Sequence, residues 1–382
     1  MKKILFLASL TFILLPLPSK AYFAFELDVK GIYYSEVGDG PSVPGDEGRG
    51  EATGRIMVLE GTGDLLFEGH LLGGITYNTG GSTPAVRPIS PFRSWDLEEA
   101  HHRDDHSTVF SEIDRLSLTL DHPGYRISAG RQAVTWGESY YYNPQDLFGA
   151  FPLTDVTRLH KPGLDAVTLT VPLSSFSEIS LVGIPGADLD SSGAFRILFP
   201  AGGTSVSVVG GTVVGDTLLG GGLSLDVKGT RLFGEAVVTD PDGEDEFIEL
   251  VAGGERWLDE YTRILGELYY SGWGSQDPDE YPDLLLSDRY LQGRVLTLGR
   301  LSAALDVSRQ ITPLLTGRTV TFANLSDGSV LLRLDGLYSL SETSDLVGGI
   351  WAGIGRKSRA GRPGSEYGDI PVSLYAEVVM NF

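Results

Sequence analysis

The chain has 382 residues, with 51 acidic against 29 basic side chains, a formal charge of −22, 50 glycines and no cysteine. Without cysteine there is neither a disulfide framework nor a thiolate metal site, and so acidic a surface repels nucleic acid, whose binding depends on Lys and Arg neutralising phosphates. The glycines follow no short repeat, which excludes collagen-like structure and suits tight turns and crowded strand faces.

Met1, Lys2 and Lys3 precede an apolar run from Ile4 to Leu17. About 14 residues falls short of the roughly 20 that a spanning helix needs. Pro16 and Pro18 interrupt its end, and Ser19-Lys20-Ala21 places small residues where a signal peptidase reads. Residues 1–21 therefore read as a secretory signal peptide cleaved after Ala21, with a retained anchor as the alternative. Losing Lys2, Lys3 and Lys20 makes the remaining chain, 22–382, three units more negative. No other stretch approaches a spanning helix. A membrane chain built without such helices is a closed β-barrel, because lipid leaves no other way to satisfy the backbone. A mean hydropathy near zero is no objection, since alternating strands hide their apolar half.

From Tyr22 onward the pattern is period-two alternation broken by Gly, Asp, Pro and Ser. The first strand sets Phe23, Phe25, Leu27, Val29 and Tyr33 on one face and Glu26, Asp28 and Lys30 on the other. Asp64 to Tyr77 repeats this, with Leu65, Phe67, Leu71, Ile75 and Tyr77 against Glu68, His70 and Thr76. In a soluble sandwich the apolar face meets a second sheet; in a barrel it meets lipid while the charged face lines a wet lumen. Glu68 and His70 could pair, but neighbours on one strand face stand parallel and meet poorly. No serine or aspartate completes a catalytic set around them, so lumen lining is the expectation. The run His101-His102-Arg103-Asp104-Asp105-His106 has metal-ligand residue types, yet its spacing fits no helix or strand face and reads as a solvated loop.

Arg126 joins the lumen-facing set. Alternation from Tyr125, Ile127 and Ala129 would put Arg131 on the lipid side, which is expensive at mid-depth; a bulge at Gly130 would turn it inward. The most distinctive segment follows, residues 130–173. Its skeleton is Gly130-Arg131-Gln132, Trp136-Gly137, Asn143-Pro144, Asp146, Phe148, Phe151-Pro152, Asp155, Arg158 and Gly163-Leu164-Asp165-Ala166. Residues 136–161 are too aromatic for an exposed loop. They either fold inward, so that Arg131, Glu138, Asp146, Asp155, Arg158 and Lys161 line a constriction with a transverse field, or cap the rim by packing on neighbouring loops. The acidic stretches 240–246 and 277–280 lack the twelve-residue calcium-loop pattern and read as outer loops that share divalent cations with a phosphate-rich leaflet. No Gly-rich phosphate loop, zinc spacing or nucleophile elbow is found, so no metal and no cofactor is expected.

The breaks alternate in length. Short ones fall at 61–63, 121–124, 174–175, 201–203, 228–229, 312–313 and 342–344. Longer ones fall at 36–50, 78–107, 135–162, 185–191, 240–245, 273–287, 324–328 and 356–369; the short break at 215–216 belongs by order with the long series. Short turns at one mouth and long loops at the other give 18 strands. The stretch 288–309 is too long for one strand; its first half reads as loop, and 16 strands is the nearest alternative. Tyr33, Tyr34, Tyr77, Tyr125, Tyr269, Tyr270, Trp273, Tyr338, Trp351 and Phe382 fall near strand ends, where rings favour a membrane boundary. The chain closes on Val372, Leu374, Ala376, Val378, Met380 and Phe382 in strict alternation.

A leader at one end and an alternating strand closing on Phe382 at the other resemble a bacterial outer-membrane β-barrel, where a terminal Phe belongs to the pattern read by the insertion machinery. Residues 130–173 look similar to a pattern in porin-like proteins of the alginate-export type: a strand carrying Gly-Arg-Gln, a Trp-Gly turn, an Asn-Pro-x-Asp segment and a Gly-x-Asp-Ala return strand. The resemblance implies an all-β, transmembrane, antiparallel up-and-down barrel. It further implies a monomer or homotrimer surrounded by outer-membrane lipid and lipopolysaccharide, passing small hydrophilic solutes, whether charged or not, without catalysis. A plugged structural or adhesive barrel and a barrel hydrolase are the alternatives, and a soluble periplasmic sandwich is the competing fold.

Overall fold

The computed structural model describes residues 22–35, 47–79, 90–149, 151, 153, 160–186, 191–358 and 364–382; the leader 1–21 lies outside them. Its strands are β1 (Tyr22–Ser35), β2 (Glu47–Thr62), β3 (Leu65–Asn78), β4 (Glu98–Arg103), β5 (Ser107–His122), β6 (Tyr125–Gln132), β7 (Leu164–Ser174), β8 (Ser177–Ile184), β9 (Ser192–Ala201) and β10 (Thr204–Val213). Then come β11 (Asp216–Val227), β12 (Thr230–Asp240), β13 (Phe247–Trp257), β14 (Thr262–Ser271), β15 (Leu301–Thr312), β16 (Leu315–Asn324), β17 (Ser329–Ser341), β18 (Ser344–Ile354) and β19 (Val372–Asn381).

All but β4 run antiparallel to two neighbours, and β1 closes the ring on β19 with the register Glu26↔Asn381 to Ser35↔Val372. The wall is thus an 18-stranded closed barrel, and closure satisfies every strand edge. Beyond its strand, Phe382 exchanges backbone hydrogen bonds with Phe25, and the two rings lie 5.8 Å apart. The eight turns at one mouth are short, none longer than 258–261. At the opposite mouth lie 79–106, 133–163, 272–300 and 355–371, with 214–215 among them. Short turns follow backbone chemistry: Val214-Gly215, Lys228-Gly229 and Gly202-Gly203 all have positive φ, as two-residue hairpin turns that match strand twist require. The first part of 288–309 lies outside the wall, as expected, but it opens with a short helix, Asp288–Leu291, before β15 begins at Leu301. The turn at 258–261 escapes the sequence pattern because it holds neither Gly nor Pro; the Asp259 carboxylate accepts from Tyr261 N at 2.8 Å and closes it instead.

Faces follow the alternation. Phe23, Phe25, Val29, Tyr33, Ile75, Tyr77, Tyr125, Tyr338 and Leu374 are exposed on the outer wall. Tyr269 and Trp351 are corrections to the expected girdle: both are buried in an inner apolar cluster.

Gly130 holds no bulge. Pairing runs regularly through Leu116↔Arg131 and Ser117↔Gly130 on one side and Gly130↔Ala166 and Arg131↔Asp165 on the other. The bulge lies on β5, where the register passes from His70↔Arg115 to Leu71↔Ile113 and leaves Asp114 extra. Asp114 and Arg115 then both reach the lumen side. Gly130 is required for a different reason: its φ is +121°, and a Cβ would sit 2.1 Å from the Leu116 carbonyl oxygen. Gly130→Ala is expected to cost about 1–3 kcal/mol, read as a lower denaturant midpoint of the detergent-refolded barrel by tryptophan fluorescence. An unchanged midpoint would contradict the strain.

Candidate functional site

Strand β6 ends at Gln132 and β7 begins at Leu164, so 133–163 leave the wall between them. An irregular segment carries amides that no ladder satisfies. Here two carboxylates in mid-strand on the opposite wall accept them. Glu235 on β12 accepts from the amides of Glu138, Ser139 (2.9 Å) and Gln145 (3.3 Å). Glu267 on β14 accepts from Tyr140 (2.6 Å), Tyr141 (3.0 Å) and Tyr142 (2.9 Å). Side chains then follow. Tyr141 Oη donates to Asp306 on β15 at 3.0 Å and accepts from Arg318 on β16 at 2.7 Å. The Tyr142 ring stacks on Tyr269 at 4.8 Å, and Ser207 on β10 donates to Gln145 at 2.8 Å. Partners on β10, β12, β14, β15 and β16 place the segment inside the barrel, not over its rim.

Two apolar clusters fill the space between loop and wall. One joins Phe92, Val134, Trp136 and Phe148 to inner side chains of β7 to β12. The other joins Tyr141, Tyr142, Leu153 and Tyr367 to inner side chains of β13 to β19.

The base of the loop is a buried charge network. Asp114 accepts from Arg55 at 2.6 Å, Arg93 at 3.0 Å and the Gly163 amide at 3.2 Å. Arg93 also bonds Glu112 and, at 2.8 Å, the Gly163 carbonyl, while Arg115 donates to the Lys161 carbonyl. Lys161 reaches the Val134 carbonyl at 2.6 Å and pairs with Asp146. Burial pushes the Asp146 carboxyl up to about 6 against the pull of Lys161, and pushes the Lys161 ammonium down against the pull of Asp146.

These contacts sort the expected constriction residues. Arg131 is 1% exposed and does not line water. It pairs with Asp165 at 2.7 and 2.9 Å and donates to the carbonyls of Ile113 and Trp95, so segment 92–97 shields the charge that alternation would turn to lipid. Asp146 and Lys161 are likewise buried in their own pair. Glu138 is half-buried and bonds Arg231 of β12 at 2.5 Å. Asp155 and Arg158 lie outside the described residues.

The expected lumen set occupies the inner face. Glu26 meets His160 at 3.0 Å, and Lys30 lies 3.7 Å from Glu377 on β19. Asp28 sits between them on the same face of β1. Glu68 and His70 do touch, at 3.2 Å, contrary to the parallel-side-chain expectation; His70 also faces Arg55 at 3.3 Å. Arg126 pairs with Asp121 at 2.8 Å at the short-turn mouth, well exposed. Sequence reasoning passed over Glu235, Glu267, Asp306 and Arg318. Their signal was a lone charge in an otherwise apolar strand, as in Leu232-Phe233-Gly234-Glu235-Ala236-Val237.

At the long-loop mouth Glu366 ties loops together. It accepts from the amides of Leu298 (3.0 Å) and Gly299 and from Asn324 (2.7 Å), while its own amide donates to Asp327 at 2.7 Å. Burial pushes the Glu366 carboxyl up to about 7.

Two predictions follow from these buried groups. Lys161→Met leaves Asp146 without its cation and is expected to destabilise the barrel by about 3–5 kcal/mol; adding Asp146→Asn recovers part of the lost denaturant midpoint. For Glu366, the folded protein holds a proton that the unfolded chain releases near the ordinary 4.5. Stability of the knot therefore falls as pH rises through the window from 4.5 to about 7. Hydrogen-exchange protection of the Leu298 and Gly299 amides should drop between about pH 5.5 and about pH 8, and Glu366→Gln should abolish that dependence.

No protein-family model and no curated protein matches the chain. Solved structures do. Acinetobacter baumannii OccAB1 superposes with a TM-score of 0.60 at 10% identity, over 96% of this chain and 98% of that one. Pseudomonas aeruginosa OccK5 gives 0.58 at 10% identity (94% and 98%), and Pseudomonas aeruginosa OpdK, solved with vanillate, gives 0.56 at 12% identity (94% and 98%). At such identity the likeness concerns the backbone. The chain has the fold of the outer-membrane porins: a closed, 18-stranded antiparallel barrel.

Proposed function

We infer that the protein is a passive channel of a bacterial outer membrane, through which small hydrophilic solutes diffuse down their gradient. The observation that carries this reading is the inward segment tethered through residues 134–149. It narrows a barrel that 18 strands would otherwise leave wide, and it does so beside a wall whose inner face is charged. Diffusion along such a passage needs no cofactor and no catalytic group; the polar lining and the bore set what passes. The apolar outer face suits the hydrocarbon layer, with lipopolysaccharide around the long-loop mouth. In this reading residues 1–21 direct export, and the strand ending at Phe382 presents the insertion signal. The chain works as a monomer or a homotrimer. Likeness of 130–173 to alginate-export channels supports the channel class and assigns no solute.

The extent of the inner apolar clusters favours one second reading, a plugged barrel of structural role. Single-channel recording of the refolded protein in a planar bilayer separates the two. Stable open steps with a reversal potential under a salt gradient are expected; silence from a correctly folded barrel would favour the plug. In the same recording Glu138→Gln, which removes one of the two carboxylates near Arg231 at the lower edge of the loop, should shift selectivity toward anions. Unaltered selectivity would remove Glu138 from the passage.

A further inference from the structure

The two inner clusters are unevenly placed. Every strand from β7 to β19 contributes at least one buried apolar side chain to them, and among the described residues β2, β3, β5 and β6 contribute none. Apolar side chains packed at interior density leave no room for a water file. The loop therefore seals the inner wall round most of the ring and leaves one arc that is polar apart from the buried Leu72 on β3 and Phe110 on β5. We propose that the water-filled passage runs off-centre, along the inner face of β1, β2 and β3, and that it admits cations ahead of anions; this deepens the channel reading and rests on it.

The sign follows from the arc's side chains. Register places Lys30 opposite Glu51 and Glu377, and Asp28 opposite Thr53, on one face. Glu68, in contact with His70 at 3.2 Å, adds a third level on β3, with its side chain 35% exposed. Carboxylates of Asp28, Glu51 and Glu68 thus face the cations of Lys30 and Arg49, and Glu377, itself buried, sits beside Lys30 at 3.7 Å and offsets part of its charge. Arg55 is bonded to the buried Asp114, and Glu26 to His160, so neither alters the balance much. A lumen walled by low-dielectric protein concentrates such a field, raising the local concentration of the opposite charge.

The chain has no native cysteine, so single thiols report access directly. Thr53→Cys lies at the middle of the arc, half-buried between Asp28 and Gly74. Val320→Cys lies under the second cluster, fully buried. Both are small changes. Adding a charged methanethiosulfonate to open channels should cut the Thr53→Cys current roughly twofold or more and leave Val320→Cys unchanged. Glu51→Gln should lower the cation-to-anion permeability ratio about twofold. A drop at Val320→Cys, or no drop at Thr53→Cys once mass spectrometry shows the thiol modified, would overturn the off-centre path. An anion preference in the unmodified channel would overturn its sign. Channels that never open would instead overturn the channel reading itself, whatever the thiols report.

Discussion

Six backbone amides of the inward segment, from Glu138 to Tyr142 and at Gln145, end on two carboxylates of the far wall. The remaining architecture depends on that arrangement. A loop with no ladder partner is expensive to bury unless acceptors await it. Ionised acceptors bind amides more strongly than neutral ones do. With Glu235 and Glu267 in place, the backbone is fixed at mid-height and its rings fall onto the wall, Tyr142 on Tyr269 and Tyr141 on Phe322. The apolar packing is a consequence of the tether and at the same time shields it from water. The uneven bore follows in turn, because the loop is anchored to one side of the ring.

Charges near the loop divide by role. Arg131, Asp146 and Lys161 hold the limbs of the loop to the wall, deep in the protein. Their cost in desolvation is offset only with both partners and full hydrogen bonding present, and the structure supplies both: Lys161 finds a carbonyl as well as its carboxylate, and Arg131 finds two. Such pairs fix a geometry more than they add stability. Charges left on β1 to β3 face the barrel interior, half-exposed rather than locked in the loop's own pairs. A motif rich in ionisable residues thus contributes mainly scaffold, while the plain alternating strands contribute the lining.

How much of this was legible in the sequence depends on the distance over which each signal acts. Alternation from Phe23 to Tyr33 and from Leu65 to Tyr77 is local, and it gave the faces, the barrel and the inward positions of Glu26, Asp28 and Lys30. Turns announced by Gly-Gly or Lys-Gly were legible for the same reason, whereas the turn closed by Asp259 was not, because a side-chain cap leaves no Gly or Pro mark. The direction of 136–161 was undecidable, since nothing local says that Glu235 and Glu267 lie across the lumen. Arg131 shows the same limit: alternation correctly flagged it as misplaced beside lipid. The remedy, Asp165 with a covering segment from residues 92–97, comes from elsewhere in the chain.

The central claim is that two wall carboxylates hold the segment that narrows the bore. It is tested most directly by comparing single-channel conductance of the unaltered protein with that of a Glu235→Gln, Glu267→Gln double variant shown to be folded. Loss of both tethers should let the segment swing, giving larger steps and pronounced open-channel noise. A double variant with the same step size and the same quiet open level would contradict the account.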